Sequence, residues 1–361
     1  MKLTLIAGAR PNFMKIAPII HAIQQLKVPG IQFRLVHTGQ HYDQKMSNTF
    51  FEELKIPDPD VNLECGGGSQ AEQTAAIMIA FEKELLQNRA DIVLVVGDVT
   101  STMACSIVAK KLNSKVAHVE AGIRSFDMSM PEEINRMVTD SITDYFFTTS
   151  AIANTNLRKA GIDSERIFFV GNVMIDTLMA NEPFFKQPLI FDELGLEKGN
   201  YFVLTLHRPA NVDEAAQLKA LMQEIIIHTK GLPVIFPIHP RTAKLFTDLG
   251  IKAENLKIVE PMGYLEFNWL VQNAKAVITD SGGITEETTV MGVPCMTLRN
   301  NTERPETCTI GTNELLGTNP SAISPALRRL FAGEWKKGGI PDKWDGKAAE
   351  RIVKILLKLY G

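Results

Sequence analysis

Asp280, Ser281, Gly282, Gly283, Ile284, Thr285, Glu286 and Glu287 stand where an apolar run (276–279) meets a helix-like pattern ending near Gly292, Val293 and Pro294. Adjacent glycines let backbone N–H groups approach a ligand, and a helix start adds the positive end of its dipole. The chemistry this supports is capture of an anion, and a diphosphate suits it best. The acidic pair one turn later would repel phosphate, whereas a carboxylate there suits the hydroxyls of a ribose. Phosphates plus ribose mean a nucleotide, here without a P-loop Lys-Ser/Thr and without G-x-G-x-x-G. A Gly-rich turn capping an ordinary helix shares the local pattern, so the segment needs support from elsewhere.

That support stands at the ends of other apolar runs. Arg10 and Lys15 follow the run 3–7 and would bring two cations to one loop mouth, matching phosphate charge; solvated surface cations are the plainer alternative. Asp98 follows 92–96, where a helix cap is the commoner fate of an aspartate. Glu120 ends the run 116–119, and a carboxylate closing a buried strand is costly unless paired or used. Glu132 and Glu133 stand behind Pro131 in a helical first turn, where they also suit the dipole. His207 follows 202–206 and is able to donate to a phosphate, to act as an acid, or to sit satisfied in the core. Arg304 offers a further phosphate-facing cation. Asp98, Glu120 and Glu132 thus arrive at loops expected on one rim. Several carboxylates at one site push their pKa values apart and supply a proton donor and a proton acceptor.

The elements that must position these residues alternate from end to end. Strands are predicted over 3–7, 33–37, 92–96, 116–119, 145–148 and 167–170, then over 202–206, 233–237, 257–259 and 276–279. Helices are predicted between them, over 70–87, 101–112 and 132–142. Such alternation predicts βαβ units in parallel sheets, with ligands at the carboxyl ends of the strands. The 361 residues exceed what one core usually fills. The expected architecture is α/β, with two doubly wound Rossmann-like domains facing a cleft. Residues 1–171 form the first, 172–345 the second, and a C-terminal helix within 346–361 packs back on the first.

Composition narrows the function classes. With 45% hydrophobic and 22% charged residues and a net charge of −3, the chain does not read as a nucleic-acid or membrane-surface binder. No apolar stretch reaches bilayer length, and Arg10 comes too early for a secretory signal, so a cytoplasmic protein is expected. The four cysteines, Cys65, Cys105, Cys295 and Cys308, have neither zinc-site nor disulfide-framework spacing. No metal and no nicotinamide cofactor are expected.

Taken together, GARPNFMKIAP, VVGDVTST, HVEAGIRS, MPEEINR, LTLHRP, DSGGITEE and NTERPE resemble the non-hydrolysing UDP-N-acetylglucosamine 2-epimerases over nearly the whole chain. The resemblance implies a glycosyltransferase-B-like fold, a homodimer, and inversion at C2 of a UDP-sugar for surface-polysaccharide precursors. It implies a catalytic set of Asp98, Glu120, Glu132, His207, Lys15 and Arg136. It places Arg10, Lys15, His207, Phe267, Ser281, Gly282, Gly283, Glu287 and Arg304 at the substrate, with Phe267 on the uracil side. A glutamine common in the family is Met262 here. Rival readings are a UDP-2,3-diacetamido-glucuronate 2-epimerase, a UDP-sugar glycosyltransferase, and a sensor binding UDP-sugar without turnover. Many family members are activated by their own substrate. Here Asp43 replaces a second glutamine after Gln40, and residues 65–70 bring no arginine, although Arg208 and His239 match. Activation is therefore expected to be weak or absent.

Overall fold

The computed structural model describes residues 1–26, 30–39, 54–238, 246 and 248–360; the backbone of Arg10 and Pro209 is included, but not their side chains. Two compact units result, one of Met1–Ala180 with Asp342–Gly361, the other of Asn181–Pro341.

Among the described residues, the first unit holds a seven-stranded sheet in the order β3-β2-β1-β4-β5-β6-β7. Its strands are β1 (Lys2–Ala7), β2 (Gln32–His37), β3 (Val61–Asn62), β4 (Ile92–Val96), β5 (Lys115–Val119), β6 (Tyr145–Thr148) and β7 (Ile167–Phe169). Every pairing is parallel. The strands read as continuous apolar runs because helices cover the sheet; all five residues of β4 are buried. Order reverses between β1 and β4, which are neighbours. The loops leaving such a reversal diverge and open a crevice at the carboxyl ends of the strands. The helix that follows β1 (Arg10–Gln25) carries Lys15 in its second turn, and the loop after β4 carries Asp98.

The second unit repeats the plan in six parallel strands ordered β10-β9-β8-β11-β12-β13. They are β8 (Phe202–Thr205), β9 (Val234–Pro237), β10 (Leu256–Val259), β11 (Ala276–Thr279), β12 (Cys295–Thr297) and β13 (Asn313–Leu315). Side chains alternate between two cores: Phe202, Leu204, Val234, Phe236, Ala276 and Ile278 on one face, Val203, Ile235 and Val277 on the other. That period of two is what a strand buried on both sides requires. Here the reversal lies between β8 and β11, whose loops carry His207 and the Asp280–Gly283 turn.

Both parallel sheets form where the alternation predicted them. The short strands β3, β12 and β13 were not foreseen, because two or three residues are too few to show a period. The first unit also extends beyond residue 171. The helix Val173–Asn181 buries Val173, Ile175 and Leu178, and the Thr177 hydroxyl donates to the carbonyl of Met14. The final helix, Ala348–Tyr360, packs on this same unit. Asp176 accepts from the N–H groups of Ala348 and Ala349 at 3.1 and 2.7 Å, so its carboxylate sits at that helix's positive end. Just before the helix, buried Trp344 donates its indole N–H to the carbonyl of Thr149.

Candidate active site

In the first unit, a helix (Arg10–Gln25) starts immediately after β1 and carries Asn12 and Lys15 inward. Asn12 accepts from the N–H groups of Gly8 and Ala9 and donates to the carbonyl of Val96, tying the loop to the end of β4. Lys15 reaches the carboxylate of Glu120 in an ion pair with both side chains buried. Glu120 directly follows β5 with φ +70°, a left-handed conformation unfavourable for a side chain of this size. Gly97 also has positive φ, and a Cβ there would lie 3.0 Å from the Lys15 ammonium and 3.3 Å from Glu120 Oε2. Only glycine lets the chain bearing Asp98 pass this close to the pair.

Asp98 is held from the helix Pro131–Ile142. Arg136 donates to Asp98 Oδ2 through Nε at 3.0 Å and a terminal nitrogen at 2.6 Å, and Asn135 donates to the Asp98 carbonyl. The two neighbouring acids of that helix divide. Glu133 is buried, accepting from the N–H and hydroxyl of Ser125, from the N–H of Phe126 and from Arg136. Glu132 is half-buried and has no partner among the described residues. Glu133 is therefore committed to holding the loop and Arg136, while Glu132 keeps its carboxylate available.

Behind these loops lies a buried network that sequence reasoning missed. His118 bonds Asp140 Oδ1 through Nδ1 at 2.7 Å and the Gly97 carbonyl through Nε2 at 2.8 Å. Asp140 Oδ2 accepts from the N–H of Gly122 and from Arg124. Burial alone would raise the Asp140 pKa, but the charges and hydrogen bonds of His118 and Arg124 hold it below the usual carboxylate value. One carboxylate thus fixes the loops on both sides of Glu120. The available signal was a histidine two residues before that glutamate on the same strand.

In the second unit, Asp280 is the hub after β11. It is fully buried and accepts from the N–H groups of His207 and Arg208, from His207 Nδ1 at 2.7 Å and from the Asn211 amide. Burial opposes its ionisation, but the hydrogen bond and charge of His207, the Arg208 N–H and Asn211 overcome that and lower its pKa. With Nδ1 committed, the other ring nitrogen of His207 is the one left for chemistry, and 62% of the side chain is exposed.

The helix Gly282–Met291 begins at Ser281, whose side chain makes no capping bond. A Cβ on Gly282 would lie 2.7 Å from Glu303 Oε1 and 3.0 Å from a terminal nitrogen of Arg304, whereas one on Gly283 would meet nothing within 4 Å. The first glycine makes room for the protein and the second faces open space. Arg304 pairs with Glu286 and Glu303, and Arg299 with Glu303. The acidic pair therefore splits. Glu286 turns to Arg304, while Glu287 accepts from the Tyr264 hydroxyl at 2.9 Å. Burial, with the charge of Glu286, lifts Glu287 to about 7 against the hydrogen bond from Tyr264. Phe267 is partly buried with Met262 in the cluster beside this helix.

Of the expected residues, Lys15, Asp98, Glu120, Glu132 and Arg136 gather at the carboxyl ends of the first sheet. His207, Ser281, Gly282, Gly283, Glu287, Arg304 and Phe267 belong to the second unit. The side chain of Arg10, together with Gln40, Asp43 and His239, lies outside the described residues.

A family model described as UDP-N-acetylglucosamine 2-epimerase matches residues 24–357. The chain belongs to this family. The UDP-N-acetylglucosamine 2-epimerase of Methanocaldococcus jannaschii is 42% identical over 99% of each chain. A crystal structure of the UDP-GlcNAc 2-epimerase from that organism, in complex with UDP-GlcNAc and UDP, covers all of both chains with a TM-score of 0.89. The UDP-2,3-diacetamido-2,3-dideoxy-D-glucuronate 2-epimerase of Pseudomonas aeruginosa is 38% identical over 99% of this chain and all of its own. Each half of the chain thus carries a doubly wound domain of an epimerase family, with acids and cations at the strand ends.

Proposed function

We propose that this protein is a UDP-N-acetylglucosamine 2-epimerase that inverts C2 reversibly and yields UDP-N-acetylmannosamine. The observation that carries this is Glu120, a buried carboxylate held at left-handed φ against Lys15, with Asp98 mounted on Arg136 at the next strand end. A binding module gains nothing from strained, paired acids at a loop crevice, and a glycosyltransferase does not need several proton-transfer carboxylates.

The chemistry calls for such groups. The C2 proton of the sugar has no adjacent carbonyl to acidify it. Breaking the C1–O bond to UDP creates oxocarbenium character at C1, and a carboxylate then removes the C2 proton to leave a C1=C2 double bond and free UDP. Re-addition of UDP at C1, with a proton delivered to the opposite face of C2, gives the epimer. Asp98, Glu120 and Glu132 are assigned the proton transfers. Lys15, Arg136 and the exposed His207 ring stabilise the charge that develops, with Arg10 and Arg304 as further cations for the diphosphate. The N–H groups at Ser281, Gly282 and Gly283 receive the diphosphate, Glu287 the ribose, and Phe267 the uracil side. No redox cofactor enters, because the electrons of the C2–H bond return to the same carbon.

The 38% identity to the diacetamido-glucuronate enzyme supports a second substrate of the same class. The reading also includes a homodimer and a cytoplasmic location. Exposed Phe126, Met128, Ile134 and Met137 offer apolar surface for the former, and four unpaired cysteines are consistent with the latter. Sedimentation of the purified protein at monomer mass would remove the dimer from the proposal.

The test is incubation with UDP-N-acetylglucosamine in deuterated water, followed by proton NMR. Product carrying deuterium at C2 is expected. Retention of the original hydrogen would overturn the elimination route, and turnover of only the diacetamido-glucuronate substrate would transfer the function to the second reading.

A further inference from the structure

Beneath the glycine turn lies a group that the proposed reaction does not use. Glu306, on the short helix Pro305–Thr309, is 3% exposed, and neither of its carboxyl oxygens has a hydrogen-bond partner among the described residues. An ionised carboxylate there has lost its water without gaining a donor from any other residue, a costly state that protonation relieves. The groups facing it do not rescue the charge. From the Gly282–Met291 helix comes Glu286, and from the loop after β12 come Glu303 and Arg304, with Arg304 already paired to both of those acids. Arg299 is paired to Glu303. From β13, the Asn313 amide is turned to Thr307 and Cys308, and Lys336 donates to the Cys308 carbonyl. Among the described residues of this cluster, two guanidinium groups meet three carboxyls. Burial, reinforced by the charges of Glu286 and Glu303 and only partly opposed by its own backbone N–H and by Arg304, raises Glu306 to about 7.

Arg304 links this carboxyl to the turn, since its guanidinium stands directly behind Gly282. A diphosphate received at Gly282 and Gly283 brings two negative charges to a cluster already in carboxyl excess. We propose that Glu306 is the charge-balancing residue of the diphosphate socket: it is protonated in the nucleotide complex, so binding of the UDP-sugar takes up one proton. Proton and anion arrive together, and the cluster gains one net negative charge instead of two. Glu306 touches no reacting atom; it is a positioning residue acting through Arg304. The inference rests on the proposed use of the turn as a UDP socket.

The sign follows from linkage. Below about pH 7 the free protein already holds the proton, so affinity is full and binding takes up none. Above it, each complex must collect a proton, and affinity falls by up to about tenfold per pH unit. Glu306→Gln imitates the protonated carboxyl and removes this dependence.

Isothermal titration with UDP-N-acetylglucosamine reads both quantities, because its diphosphate stays fully ionised across neutrality and contributes no proton of its own. Titrations near pH 6 and pH 8.5, in buffers of contrasting ionisation enthalpy, should show wild-type uptake rising from near zero toward one proton. The Glu306→Gln protein should bind about as tightly at both pH values, without that uptake. Wild-type binding with no proton uptake overturns the inference while leaving the UDP socket standing. Equal uptake in the variant assigns the proton to Glu287 or His207 and overturns it as well. Absence of any wild-type binding defeats the proposed function itself, and the inference falls with it. Should Glu306→Gln fail to fold, Glu306→Leu takes its place in the same buffer series, with loss of the uptake expected and its persistence overturning the inference.

Discussion

At the scale of single residues, the acids of the first unit are held by cations from elsewhere in the chain: Lys15 pairs with Glu120, and Arg136 with Asp98. Glu120 was conspicuous because a strand end buried in an apolar run is a poor place for a carboxylate. Its partner, Lys15, stands 105 residues earlier in the chain, and only the pairing of β1 with β4 and of β4 with β5 brings the two together. Glu132 and Glu133 were indistinguishable by sequence, since helix phase and loop path decide which of two neighbours faces inward. His118 and Asp140 were missed for the same reason. These placements carry a prediction about the acids. Asp98→Asn keeps the shape that Arg136 and Asn135 hold, and Glu120→Gln keeps the length that reaches Lys15, so both proteins should fold. Loss of proton transfer should lower kcat by roughly a hundredfold or more, with UDP affinity nearly unchanged. Steady-state rates and UDP titration of each variant make the check. Full activity in either one would return its carboxylate to a structural role.

At the scale of elements, the sheets were legible because parallel strands buried on both faces must be apolar throughout, a pattern no helix-free loop imitates. The limit of the first unit was less legible. Gly171 and the broken stretch after residue 181 both look like punctuation, and nothing local shows that the helix Val173–Asn181 packs backward. What decides it is a contact far away in sequence: Gly171 has φ +96°, and a Cβ there would stand 2.0 Å from the carbonyl oxygen of Lys343. That backbone approach seats the segment that delivers Trp344 and the Ala348–Tyr360 helix. Gly171→Ala therefore meets both a left-handed φ and a rigid carbonyl, and should cost roughly 2–4 kcal/mol. Thermal unfolding should register the loss, and hydrogen exchange over 348–360 should quicken first. Unchanged protection of that helix would mean the approach is looser than drawn.

At the scale of the whole molecule, two halves of matching βαβ pattern predicted two α/β domains, near-neutral charge argued against a nucleic-acid or membrane-surface binder, and the family resemblance of the motifs at the strand ends implied the enzyme and its chemistry. Control of activity was the least accessible feature, because it depends on departures from the family pattern. Among the described residues, the stretch Cys65, Gly66, Gly67, Gly68, Ser69 and Gln70 supplies no cation. Cys65 N–H donates to the Thr38 carbonyl, and the Gln70 side chain accepts from the Thr100 hydroxyl at 3.4 Å, so the stretch spends part of its polar capacity on its own unit. Arg208, a matching residue of the family's second substrate position, directs its Nε to the Asp280 carbonyl at 3.1 Å. Loss of one charge-assisted contact to a diphosphate removes roughly 1.5–3 kcal/mol, or about ten- to a hundredfold in affinity. By the resemblance, an aspartate at position 43, where the family often has a second glutamine, would oppose the same anion. A second UDP-sugar should therefore bind too weakly to matter at substrate concentrations that saturate turnover. Initial rates should follow a hyperbola in UDP-N-acetylglucosamine, and the reverse reaction should start from UDP-N-acetylmannosamine alone. Sigmoidal rates, or a reverse reaction that waits for a trace of UDP-N-acetylglucosamine, would show that the remaining contacts are sufficient to hold an activator.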